Sequence, residues 1–157
     1  MHTAGMRILA ATLSIAAVLL ATPALADSYA NARFGYTLTY PSNTFAPQPE
    51  AENSDGRHFL ALHGGADLAV WGSYNALNQT PADIAGETLA DCTGAAAPYK
   101  LVRPTVIVVS CATKDGVVYR KTYIRGDTLT TFELTYPASE RARWDAIPGK
   151  LTLTPAR

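Results

Sequence analysis

The chain has 157 residues, 48% of them apolar and 17% charged, with 13 Lys and Arg against 13 Asp and Glu. That size suits one globular domain and leaves little room for a second. A net charge of zero argues against a dedicated nucleic-acid binder, and the apolar content argues against wholesale disorder.

The start of the chain reads as an address. Arg7 is the only Lys or Arg in the first 26 residues, and residues 8–20 contain nothing more polar than Thr12 and Ser14. Pro23 then ends the apolar run, and Ala24-Leu25-Ala26 supplies a small-x-small cleavage signal. A basic start, a short apolar run and this site together predict a secretory signal peptide over residues 1–26, cut between Ala26 and Asp27. An apolar run this short is below the roughly 20 residues needed to span a bilayer, so no membrane span is expected after cleavage. No Cys lies near the cut to carry a lipid. Met1 and Met6 both stand as candidate start residues. The expected mature protein is a single domain over residues 27–157, placed in the periplasm or secreted.

Cys92 and Cys111 both lie in that mature part. In an oxidising compartment an isolated pair is expected to form a disulfide. A redox-active pair usually shows C-x-x-C spacing. A zinc site would draw on His58 and His63, which lie five apart in a predicted strand and so point to opposite faces. No metal or cofactor is predicted.

Along the mature chain, Phe34, Tyr36, Leu38 and Tyr40 alternate with Gly35, Thr37 and Thr39, the pattern of a half-buried strand stopped by Pro41. Residues 42–56, with Pro47, Pro49, Asn53 and Asp55-Gly56, read as a loop. Residues 58–63 and 67–75 are strand candidates around Gly64-Gly65, predicting a hairpin. Thr80-Pro81-Ala82-Asp83 opens a helix: Thr80 caps, Pro81 fits the first turn, and Asp83 faces the positive helix end. Ile84 and Leu89 supply its buried stripe, and the helix ends between Asp91 and Gly94.

Residues 105–111 are almost continuously apolar and β-branched, as in a central strand covered on both faces. An Asp115-Gly116 turn, a strand over 117–125, a Gly126-Asp127 turn and a strand over 128–136 complete an antiparallel meander. In the last strand Phe132, Leu134 and Tyr136 face one side and Thr131, Glu133 and Thr135 the other. Pro137 closes it, and residues 139–147 read as a short helix with Ala142 or Trp144 and Ile147 inward. Pro148-Gly149 stops that helix, and the last residues are a tail or a short edge segment.

The Arg33-Phe34-Gly35-Tyr36 strand ending in Tyr40-Pro41, the Asn53-x-Asp55-Gly56 loop, Tyr119-Arg120-Lys121, and Phe132-Glu133-Leu134-Thr135-Tyr136-Pro137 carry a resemblance. Together they look like a family of small exported proteobacterial proteins that resembles the PsbP superfold. That superfold is named for an extrinsic photosystem II subunit and is shared with a eukaryotic Ran-binding import factor and type VI secretion effector chaperones. Over residues 29–147 the resemblance implies an α+β fold: a central antiparallel β-sheet flanked by helices on both sides, a PsbP-like α/β/α sandwich. Relatives tend to run the C-terminal helix further than Pro148-Gly149 allows here. The resemblance implies a binding or assembly role and transfers no functional residue.

The residues themselves offer little catalytic chemistry. Ser73 and Ser110 lie in predicted strands, neither in a G-x-S-x-G turn. His58 and His63 have no carboxylate placed by spacing to orient them. Asp115 and Asp127 are explained as turn residues. Asn53, Asp55 and Gly56 hint at a calcium loop but lack its further oxygen ligands, and Arg125-Gly126-Asp127 is a hairpin turn. The strand over 117–125 instead places Tyr119, Lys121, Tyr123 and Arg125 on one face. Tyrosines interleaved with cations can hold a peptide, glycan or anionic group; the competing and commoner arrangement makes Tyr119 and Tyr123 core residues with snorkelling neighbours. Residues 27–100 hold 3 basic against 8 acidic side chains, and residues 101–157 hold 9 against 5. The expectation is a non-catalytic exported protein that binds a protein or envelope component. The alternatives are a small hydrolase acting on cell-wall or glycan material, and an inhibitor or immunity protein for an exported toxin.

Overall fold

A computed structural model describes residues 25–156. Residues 1–24 of the expected leader (1–26) lie outside the described residues.

The alternating runs form strands as read. Tyr29 in β1 (Ala26–Ala30) and Leu38 and Tyr40 in β2 (Thr37–Pro41) are buried on alternate positions. β2 starts three residues later than the alternation suggests. Phe34 and Gly35 are held in a turn, in which the Asn31 side chain accepts from Phe34 N–H (2.8 Å) and Gly35 has φ +68°. β1, β2 and β10 (Thr152–Thr154) form a small antiparallel sheet, so the expected tail segment is a strand at its edge.

The large sheet is antiparallel and has the order β3-β4-β5-β9-β8-β7-β6. Its members are β3 (Phe45–Glu50), β4 (Gly56–Ala61), β5 (Asp67–Tyr74), β6 (Tyr99–Val102), β7 (Val106–Thr113), β8 (Gly116–Arg125) and β9 (Thr128–Tyr136). Both predicted hairpin partners, β4 with β5 and β8 with β9, are neighbours in it. Four details differ from the sequence reading. First, residues 42–56 are not all loop, because 45–50 form β3. Pro47 and Pro49 are tolerated there since β3 is an edge strand with a register shift between Pro47 and Glu50. Second, β6 was not foreseen. Third, β7 is second from the edge, not central; its unbroken apolar run reports cover on both faces, with Ile107, Val108 and Val109 all buried. Fourth, the β7–β8 turn centres on Lys114-Asp115, because Thr113 pairs with Gly116.

The sheet's two faces have different covers. On the inner face Phe45, Phe59, Leu68, Val70, Val117, Phe132, Leu134 and Tyr136 pack against Tyr29, Phe34, Tyr36, Leu38, Tyr40 and Leu153 of the small-sheet layer, with Trp144 and Ile147. Gly72 admits this layer: a Cβ there would lie 2.3 Å from Phe34 Cγ. On the outer face lies helix α1 (Pro81–Ala90), with Thr80 at its N-cap and Asp83 completing a capping box. Ile84 and Ala85 meet Ile107, Val109 and Leu129, and Leu89 packs partly exposed beside them. The α+β class and central antiparallel sheet stand, but the inner face is covered by more sheet than helix.

The C-terminal segment is broken into short turns where the sequence reading expects one helix over 139–147. It is a 3-10 turn (Ala138–Glu140), a single turn α2 (Arg141–Trp144) and a second 3-10 turn (Ile147–Lys150). Pro148 has no N–H to continue an α-helical ladder. Trp144 and Ile147 point inward and Ala142 is exposed. Cys92 and Cys111 are joined, Cα to Cα 5.7 Å, tying the end of α1 to β7. No helix among the described residues is long and apolar enough to cross a membrane.

Candidate functional site

Strand alternation puts Tyr119, Lys121, Tyr123 and Arg125 of β8 on the inner face, as the sequence reading expects. Tyr119 stacks on Phe132 of β9, ring centroids 5.9 Å apart and planes 17° apart. Lys121 Nζ sits 5.1 Å from the centre of the Tyr123 ring, within cation–π reach. Arg125 is exposed where the strand ends. Both tyrosines are partly buried and border the main core. Burial raises the Tyr119 hydroxyl above its ordinary pKa, while Lys121 opposes the rise.

The register across β7 and β6 extends this row. Tyr119 lies opposite Ser110, Lys121 opposite Val108 and Tyr123 opposite Val106; Ser110 and Val108 in turn lie opposite Tyr99 and Leu101. Tyr99 is 59% exposed. The face therefore runs from Tyr123 and Lys121 to Tyr99 at the free edge. Tyr99 escaped sequence reading because its strand has only four residues between Pro98 and Pro104.

A second site lies on the outer face, where the sheet runs out from under α1. A cleft of about 680 Å³ is lined by Thr88 and Asp91 of the α1 end, Lys114 of the β7–β8 turn, and Arg120, Glu133 and Thr135 of the sheet. Arg120 and Glu133 form its partly buried ion pair at 2.5 Å, and Arg120 also donates to Thr88 Oγ1 at 3.0 Å. The Arg120 guanidinium stands 5.8 Å from the Trp71 ring. The Arg120–Thr88 bond ties the end of α1 to the sheet and the Arg120–Glu133 pair joins β8 to β9, both structural roles. A tight turn at Gly126-Asp127 pairs Arg120 with Glu133, so this contact was derivable from the sequence.

The histidines separate. His58, on the outer face of β4, bonds Asp67 through Nδ1 at 2.8 Å, a carboxylate partner that residue spacing did not supply. His63 lies beyond the end of β4, so the two histidines do not share a strand, contrary to the sequence reading. Ser73 is four residues along β5 from Ala69, the residue opposite His58, which puts it about 13 Å away. Among the described residues no hydroxyl or thiol is hydrogen-bonded to either histidine, and no group of three His, Cys, Asp or Glu gathers. In the Asn53 loop the side chain of Asn53 donates to Asp55 Oδ2 at 2.7 Å, closing the loop on itself.

No family model matches the chain, and no curated protein matches it. Among solved structures it is similar to cyanobacterial PsbP (CyanoP) from Synechocystis sp. PCC 6803. The likeness has a TM-score of 0.55 at 12% identity and covers 89% of this chain and 99% of that one. At that identity it speaks for backbone architecture alone: the chain has a PsbP-like fold.

Proposed function

We propose that this chain is an exported, non-catalytic binding protein that engages a protein or envelope component through Tyr99, Tyr119, Lys121 and Tyr123. The observation that supports this reading is the placement of these aromatic and cationic side chains in one row. The row runs to an open sheet edge instead of closing under the small sheet. Rings anchored against the core give apolar contact at low entropic cost, and Lys121 adds charge. Export fits the paired cysteines. Among the described residues, cleavage after Ala26 would remove the Ala26–Pro41 pairing and the two bonds from Ser42 N–H and Oγ to Leu25 O, leaving the rest of β1 in place.

The test compares the exported protein with its Lys121→Glu and Tyr123→Ala variants, each immobilised and exposed to an envelope extract. One component retained by the parent and lost by both variants supports the reading. Equal retention by all three, or none by the parent at micromolar concentration, overturns it. The hydrolase alternative now has one favourable observation, the His58–Asp67 pair. A pair this exposed, with no nucleophile in reach, lacks the arrangement that activates a hydroxyl.

A further inference from the structure

We propose that the free edge of β6 accepts an extended, acidic segment of a partner polypeptide as an eighth strand of the large sheet. The inference rests on the binding face just described and names what arrives beside it.

The ladder determines which backbone groups are free. Arg103 N–H bonds Val106 O at 2.9 Å, so Arg103 belongs to a hydrogen-bonded pair. Pair types alternate along an antiparallel ladder, so Leu101 and Tyr99 also point their backbone groups at β7. Lys100 and Val102 therefore turn their N–H and C=O groups outward, and among the described residues these make no backbone bond outside the strand. The opposite edge is interrupted by proline and a register shift. On β3, Thr44 O accepts from Leu62 N–H, which places Phe45 and Pro47 in the outward phase, where Pro47 has no donor to offer. On β6 both outward residues, Lys100 and Val102, keep a donor and an acceptor. Pro98 and Pro104 flank it and limit the docked stretch to a few residues.

Charge selects the occupant. Lys100 and Arg103 lie at this edge, and neither is in an ion pair among the described residues. Lys121 and Arg125 are likewise unpaired. They lie on β8, three strand spacings or about 14 Å from an added strand, and contribute a screened field of the same sign. A second copy of this chain would bring Lys100 and Arg103 against their own equivalents, so the edge disfavours self-pairing. An acidic strand gains main-chain bonds at Lys100 and Val102, and its side chains on the inner face lie beside Tyr99 and Leu101.

The test uses a synthetic blocked peptide, Glu-Val-Glu-Val-Glu-Thr, and its counterpart with Lys in place of Glu, followed by amide NMR on the exported protein. The acidic peptide should slow solvent exchange of the Lys100 and Val102 amides, with the basic peptide at least about tenfold weaker. Val102→Pro removes an outward N–H that β7 does not use, so the domain should fold and bind the acidic peptide roughly tenfold more weakly. Lys100→Glu with Arg103→Glu keeps every backbone donor and should reverse the preference between the two peptides. Protection by both peptides alike, protection at β3 instead, no protection at millimolar acidic peptide, or undiminished binding by Val102→Pro overturns the proposal. Envelope capture separates it from the broader reading. Loss with Tyr123→Ala but not with Val102→Pro removes strand addition and leaves the face, whereas the reverse removes the face and leaves strand addition.

Discussion

Removing the Cys92–Cys111 bond with Cys92→Ser and Cys111→Ala tests how the outer layer is held. Alanine is chosen at position 111 because that side chain is buried under the helix layer. The bond spans 19 residues, and a loop of that length corresponds to about 3 kcal/mol of lost unfolded-state entropy. For a domain of this size that lowers Tm by roughly 10 °C and accelerates globally exchanging amides on the order of a hundredfold. The structure adds a local consequence. α1 buries Ile84, Ala85 and Thr88, and Ile84 is the only large aliphatic among them. A fully buried isoleucine contributes about 3 kcal/mol at most, against an ordering cost of roughly 1 kcal/mol or more for each helical residue. Without the tether, α1 should open as a unit before the sheet does. Hydrogen exchange in dilute urea would detect this as α1 amides exchanging through a smaller opening, with a weaker urea dependence than those of β9. If the variant's α1 amides stay as protected as those of β9, or its urea midpoint is unchanged, the staple reasoning is wrong.

Two further expectations concern the inner face. Gly72→Ala would place a Cβ 2.3 Å from Phe34 Cγ and should cost about 1–3 kcal/mol by displacing that ring; combined with Phe34→Ala the added cost should largely vanish, and strict additivity in urea titrations would refute the contact. Glu140 Oε2 accepts from Trp144 Nε1 at 2.7 Å and Gly65 N–H at 3.1 Å, and these bonds hold its carboxyl below the ordinary 4.5. A carboxyl depressed in the folded state contributes stability that is complete above its unfolded pKa and fades as pH falls through the folded one. The urea midpoint of the parent should therefore lose its advantage over Glu140→Gln between about pH 5 and pH 3, and a gap that does not change with pH would show the bonds to be unimportant.

Much of the meander was legible because its determinants are local. The Gly126-Asp127 turn has glycine first with φ +57°, the type II′ requirement, and two-residue turns set register. Arg125 therefore faces Thr128, and Arg120 must face Glu133. The preceding turn shows the limit. Asp115-Gly116 looks like turn chemistry, yet Gly116 already pairs in β8 with φ +147°, and its missing side chain makes room for Tyr136 O, which a Cβ would approach to 2.3 Å. The demand for glycine came from β9, not from the turn. The resulting slip is two residues, so Tyr119 lies opposite Ser110 where the other register would pair it with Ala112. A slip of two preserves which face each side chain occupies, so the Tyr119–Lys121–Tyr123 row survives the error.

By itself the sequence determined the alternation of buried and exposed positions, the capping of α1 and the pairing candidates for its two cysteines. Each of these depends on neighbours a few residues away or on composition. Only the tertiary structure decided that residues 45–50 and 99–102 are strands, that His58 meets Asp67, and which part of each sheet face stays uncovered. Short segments flanked or interrupted by proline have little intrinsic preference for extended structure. They become strands because an adjacent strand offers its backbone groups, and that offer comes from residues distant in the chain.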